Sequence, residues 1–220
     1  MDDLESLGTV PDFDLVGISE LHRPDRRRIR PGPALPGAGV PVVLGGIHVS
    51  LLPDEAREHA DAVVVGGAEG AWPRLVADAE RGRLARVYAG ARERVFEPGL
   101  YATPRFEFLA GRPYNRVTVQ SSRGCPRACE FCAASLRITS RFNQKPVERV
   151  IAEIRAARRH VAEPFFELAD DNSFLDRRWT DEFLRAVTPE GIRYFTETDL
   201  SVADDPGSAT GSPPPDAGSS

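Results

Sequence analysis

The sequence predicts an α/β protein built as two partial layered units, and three observations carry that expectation. Short β-branched apolar runs alternate with stretches of helical apolar period, the pattern of strands buried in a parallel sheet with helices packed on it. The alternation lapses over 86–114 and resumes at residue 115. The chain therefore divides into 1–85, a linker over 86–114 and a second unit over 115–205. All 3 cysteines, Cys125, Cys129 and Cys132, fall together just after the first strand predicted in the second unit.

In the first unit, "FDLVGIS" (13–19), "VPVVLGG" (40–46) and "ADAVVVGG" (60–67) read as buried strands ending at small residues. After the third, Trp72, Leu75, Val76 and Ala79 recur at helical spacing and Gly82 supplies a stop. A parallel pair needs a crossover, usually a helix, yet 22–39 holds Pro24, Pro31, Pro33 and Pro36 among arginines, without apolar period. This stretch is expected to be an irregular, disordered loop. It lacks the interleaved aromatics of a nucleic-acid surface.

In the second unit, "NRVTVQSS" (115–122) is a strand leading into the cysteines. "KPVERVIAEIRAARRHV" (145–161) is a helix with Pro146 suited to its first turn and Val147, Val150, Ile151, Ile154 and Val161 on one face. "PFFELADD" (164–171) and "IRYFTETDL" (192–200) are strands. Between them "DRRWTDEFLRAV" (176–187) is a helix with Trp179, Phe183, Leu184 and Val187 inward. The tail, 206–220, is rich in Pro, Gly and Ser and is expected to be disordered.

A hydrophobic content of 41% is enough for a core, and a formal net charge of −5 gives no basic field for nucleic acid or an anionic membrane. The acidic N-terminus has no apolar signal region and no run is long enough to span a membrane, so a cytoplasmic location is expected. Thiols stay reduced there, and an odd clustered set argues against a disulfide framework. A structural zinc site wants four protein ligands, and His22, His48, His59 and His160 are all remote in sequence from the cysteines. Soft thiolates at CxxxCxxC favour an iron–sulfur cluster over zinc, with three ligands leaving one iron of four open.

"RGCPRACEFCA" (123–133) resembles the cluster loop of the radical S-adenosylmethionine (SAM) enzymes, with Phe131 as the aromatic before the last cysteine. "RFNQKPVERVIAEI", "FFELADDNSF" and "YFTETDLSVADDP" are similar to segments that follow it in the cobalamin-associated branch. The resemblance implies a partial Rossmann-like cobalamin-binding domain followed by a partial radical SAM (βα) barrel. It assigns Cys125, Cys129 and Cys132 to a [4Fe–4S] cluster and Phe131 to packing near the adenine of SAM. The second barrel strand ends in Asp170, Asp171 and Asn172; Asp170 and Asp171 would face the SAM ammonium, or else this end serves as a helix cap or turn. Glu197 and Asp199, ending the next strand, are weaker candidates for the barrel interior.

The first unit carries the branch's Ser-x-Leu as Ser19 and Leu21, and its Gly-Gly as Gly45 and Gly46. These imply a cobalamin site at the strand ends, where glycines let backbone approach a flat ligand. His48 is either a lower cobalt ligand or a turn-capping side chain.

The expected function is reductive cleavage of SAM to a 5′-deoxyadenosyl radical, serving methyl transfer or a radical rearrangement on a small-molecule or lipid substrate. An electron donor such as flavodoxin or ferredoxin is implied. The alternatives are a cobalamin-independent radical SAM enzyme and an inactive metal-binding fragment. The likeness spans most of 12–205 as two incomplete domains, so the sequence reads as a truncated copy of a longer enzyme, with 22–39 and 206–220 resembling out-of-frame translation. Open strand edges would make such a chain poorly soluble or dimeric.

Overall fold

The computed structural model describes residues 13–20, 40–90, 102–127, 129–132 and 142–204. The stretches 22–39 and 206–220, and Leu21, lie outside them. The chain forms two compact units, Met1–Val95 and Phe96–Ser220.

The first unit is a four-stranded parallel sheet in sequence order: β1 (Val16–Glu20), β2 (Val42–Gly46), β3 (Ala62–Val65) and β4 (Val87–Ala89). Helices cover both faces, which is why β2 and β3 are continuously apolar rather than alternating. Val43, Ala62, Val64 and Tyr88 pack with Ala71 and Leu75 at α3 (Trp72–Glu80). Leu44 and Val63 turn the other way, onto Val49 of α1 (Ile47–Leu51) and Ala56 of α2 (Pro53–Ala56). Trp72 lies over Gly17, where an added Cβ would come within 2.9 Å of the indole ring. The buried Tyr88 is satisfied at its hydroxyl, which accepts from the Ala85 N–H at 3.0 Å and donates to Asp78 at 3.1 Å.

The second unit holds a parallel sheet in the order β5 (Val117–Val119), β8 (Phe165–Leu168), β9 (Arg193–Thr196). The crossovers are α4 (Val147–Arg158) and α5 (Arg177–Val187). Val117, Val119, Phe166 and Leu168 meet Ile154, Trp179 and Phe183 in one core. Trp179 and Phe183 stack at 5.1 Å. Asp176 caps α5, accepting from the N–H groups of Arg178 and Trp179. Pro146 is the residue before α4, with φ −54 and ψ 139, rather than part of its first turn. A short antiparallel pair, β6 (Ser122–Arg123) with β7 (Asn143–Gln144), closes the neck of the loop that holds the cysteines.

The stretch expected as a linker, 86–114, carries β4 at its start. Further on it has a 3₁₀ turn, Phe106–Leu109, whose Phe106 is buried in the second core. Neither has a pattern long enough to read: β4 buries only Tyr88, and the turn is four residues long.

Candidate functional site

In the second unit the chemistry-bearing residues gather at the carboxyl ends of β5, β8 and β9, the end at which parallel α/β sheets and barrels place their ligands. Gly124 opens the cysteine loop with φ 83, a left-handed conformation that suits glycine. None of the three cysteines is in a disulfide; Cys125 is buried, Cys132 half-buried and Cys129 exposed. The Cys132 N–H donates to the Cys129 carbonyl at 3.0 Å, so these two share a tight turn. Among the described residues, no group of three or more His, Cys, Asp or Glu side chains is already drawn together for a metal ion. Phe131 stands 92% exposed on this loop.

Asp170 is not poised for an outside ligand. Its Oδ1 accepts from the N–H groups of Ser121 and Ser122, both at 2.8 Å. Its Oδ2 accepts from the Ser173 hydroxyl at 2.7 Å and from the Ser121 hydroxyl. Both oxygens of this buried carboxylate are thereby occupied, and its role here is to hold the β5 end against the β8 end. Asp171 differs. It is exposed and accepts a hydrogen bond from the Gly124 N–H at 2.9 Å.

Asn172, which sequence reasoning passed over as a site residue, is buried between the strand ends. Its Nδ2 donates to Asp199 Oδ2 at 2.9 Å and lies 3.9 Å from Cys125 Sγ. Arg127, inside the cysteine loop, also pairs with Asp199 Oδ2, at 2.8 Å. The Ser201 hydroxyl, together with the Asn172 amide, the Ser201 N–H and Arg127, holds the Asp199 carboxyl well below the usual carboxylate range. A depressed folded-state value means that the stabilisation is complete above the ordinary carboxylate range. It is lost progressively as the pH falls from the ordinary carboxylate range, and is gone below the lowered value. Asp199 is thus a tie between loop and strand, and not a group left open to the barrel interior. Glu197 is exposed, and its backbone carbonyl accepts from the Ser173 N–H at 3.0 Å.

The loop's exit is fastened as firmly as its start. The Lys145 N–H donates to the Ser121 carbonyl at 2.8 Å, and the Trp179 indole N–H donates to the Lys145 carbonyl at 2.7 Å. The Lys145 ammonium is buried on Glu153 of α4, at 3.0 and 2.9 Å from its two oxygens.

In the first unit the register sets Ser19 beside Gly45, and Glu20 beside Gly46. Ser19 and the glycine pair, separated in sequence, are therefore neighbours at the same sheet end. A Cβ on Gly45 would meet only ordinary contacts, the nearest at 3.8 Å on Val64. Gly46 has φ 100 and leads directly into α1. Ser50 braces this edge, donating to the Gly46 carbonyl at 2.8 Å and accepting from the Gly66 N–H at 2.9 Å. His48 sits in α1, mostly buried, with Nε2 3.7 Å from Glu55.

No protein-family model matches the chain. It is 25% identical over 202 residues to the bacteriochlorophyllide d C-12(1)-methyltransferase of Chlorobaculum tepidum, a match covering 88% of this chain and 44% of that protein. The bacteriochlorophyllide d C-8(2)-methyltransferase of the same organism is 26% identical over 210 residues, covering 89% and 46%. The hopanoid C-3 methylase of Methylococcus capsulatus is 31% identical over 84 residues, covering 37% and 16%. The chain spans less than half the length of these curated relatives. Among solved structures, the radical SAM methyltransferase TsrM of Kitasatospora setae, with cobalamin and a [4Fe–4S] cluster bound, superposes with a TM-score of 0.55 at 17% identity. That match covers 80% of this chain and 41% of TsrM. The cobalamin-dependent SAM radical enzyme OxsB, with aqua-cobalamin and SAM bound, gives 0.52 at 16% identity, covering 70% and 25%. The chain thus has a mixed α/β fold with parallel sheets, similar to that of cobalamin-dependent radical SAM enzymes.

Proposed function

We propose that the cysteine loop holds a [4Fe–4S] cluster and SAM, that the glycine edge of the first sheet receives cobalamin, and that the full reaction is a radical SAM methyl transfer. The observation that carries this reading is the CxxxCxxC loop fastened to the carboxyl ends of a parallel sheet by Asp170, Asp171, Asn172 and Lys145. The donor chemistry fits: three sulfurs suit iron better than a hard cation, and three ligands leave one iron of a four-iron cluster for SAM. When bound, such a cluster supplies the electron that cleaves SAM to a 5′-deoxyadenosyl radical. Phe131 offers an open ring face for adenine, and Asp171 is the aspartate with carboxylate exposed to meet the SAM ammonium.

The names of the relatives favour methyl transfer over rearrangement. A small-molecule or lipid substrate and flavodoxin or ferredoxin as electron donor complete the proposal. The organisation proposed is a cobalamin-binding unit that extends past residue 85 to take in β4, and the first half of a barrel over 115–205, with Phe106 packed into its core. No helix among the described residues is long and apolar enough to cross a membrane.

The test is anaerobic reconstitution with iron and sulfide, followed by electron paramagnetic resonance of the dithionite-reduced protein with and without SAM. A four-iron signal that changes on adding SAM is the expected result. Bound zinc with no iron–sulfur signal would sink the reading. Cobalamin is tested separately. Ser50→Ala removes both ties across the glycine edge, so it should cost the first unit about 1–2 kcal/mol and weaken hydroxocobalamin binding. Both are measurable, by Trp72 fluorescence in urea and by corrin absorbance. Corrin binding unchanged in a destabilised variant would separate the glycine edge from the cobalamin site.

A further inference from the structure

We infer that Asn172 positions the cysteine loop and tunes what it binds: its side-chain amide, held by Asp199, donates to the sulfur of Cys125 and raises the reduction potential of a cluster there. This rests on the cluster reading above.

The orientation of the amide is fixed by its surroundings. Asn172 Oδ1 accepts from the Thr198 hydroxyl and from the Asp199 N–H, both at 3.3 Å. Both groups donate to it, so the oxygen belongs on that side; the flipped amide would set its carbonyl against the Asp199 carboxylate. The nitrogen carries two hydrogens. One goes to Asp199 Oδ2 at 2.9 Å, and the other faces Cys125 Sγ at 3.9 Å, at the long end for a sulfur acceptor. Asn172 is 3% exposed, so no bulk water competes for that second hydrogen.

A capping role does not account for this placement, because α5 is capped by Asp176. Each partner follows a different stretch of strand: Cys125 after β5 and the short β6, Asn172 after β8, Thr198 and Asp199 after β9. The amide therefore reports the assembled state of all three strand ends to one sulfur. Adding an electron to a cluster increases the negative charge on its ligand sulfurs. A donor aimed at one of them favours the reduced form, so removing it must shift the potential negative.

The test is an electron paramagnetic resonance redox titration of the anaerobically reconstituted full chain, comparing the natural protein with Asn172→Ala and Thr198→Ala. The expected result is a more negative midpoint for Asn172→Ala and an unchanged midpoint for Thr198→Ala, which touches the amide oxygen but not the sulfur. A loaded Asn172→Ala protein with an unmoved midpoint overturns the inference while leaving the cluster reading intact. A natural protein without a four-iron cluster overturns both. If Asn172→Ala does not load, the hydrogen bond is read directly. The chain's asparagines are Asn115, Asn143 and Asn172. Asparagine-¹⁵N labelling of Asn143→Gln protein leaves Asn172 as the labelled residue beside the loop. A weak ¹⁵N coupling to the reduced cluster is expected, and its absence overturns the inference.

Discussion

Lys145→Met will destabilise the second unit by about 3–5 kcal/mol, and adding Glu153→Leu will recover most of that loss. The Lys145 and Glu153 side chains are 5% and 2% exposed, with nitrogen and oxygen 2.9 Å apart. Removing the ammonium alone strands a carboxylate away from water, at the full cost of desolvation. Replacing both partners by apolar groups of similar volume removes that cost along with the attraction, which is why the double change is milder. The chain's 2 tryptophans make the measurement local, since Trp72 lies in the first unit and Trp179 in the second. Urea unfolding in a Trp72→Phe background, followed by Trp179 fluorescence, reads the second unit alone. A loss below about 1 kcal/mol for Lys145→Met would mean that water reaches the pair and that it is no more than a surface bridge. The effect should extend to the loop, because the backbone of Lys145 ties Ser121 to Trp179 at the loop's exit.

The strands and helices that build the two cores were legible because each has a run long enough to show its period. Trp179, Phe183, Leu184 and Val187 are all buried, as their spacing in α5 requires. β2 and β3 read as continuous apolar runs because α1 and α2 cover one face and α3 the other. β4 was not legible: three residues with one buried side chain cannot establish an alternation. α1 was hidden for another reason, since it follows Gly46 with no side-chain cap. At the site, the place of the cysteines just after a strand was legible, and Asp170 and Asp171 could be placed at a strand end but not told apart. What distinguishes them is contact with Ser121, Ser122 and Gly124, some 47 to 49 residues away, which no local pattern encodes. The same holds for Lys145 and Glu153, which in sequence are one charge before a helix and one in its middle, and become a buried pair only when α4 docks.

Those contacts make neighbouring aspartates behave oppositely when truncated. Asp170→Ala leaves the Ser121 and Ser122 N–H groups without their acceptor. Both residues are fully buried, and each orphaned donor costs about 1–3 kcal/mol. The second unit should therefore lose about 3–5 kcal/mol, and iron loading should fall because the base of the loop is no longer held to β8. Asp170→Asn keeps an oxygen for the two N–H groups, and the serine hydroxyls can rotate to accept from the new amide, so its loss should be no more than about 2 kcal/mol. Asp171→Ala gives up one bond at an exposed position and should cost less than about 1 kcal/mol. It should instead weaken SAM binding, if the exposed carboxylate is the partner of the SAM ammonium. Urea melts of the three variants, with iron content and SAM titrations on the loaded proteins, separate the two roles. Equal stability losses for Asp170→Ala and Asp171→Ala would refute the division of labour. SAM affinity unaltered in Asp171→Ala would leave the ammonium to another donor set while the structural role of Asp170 stood.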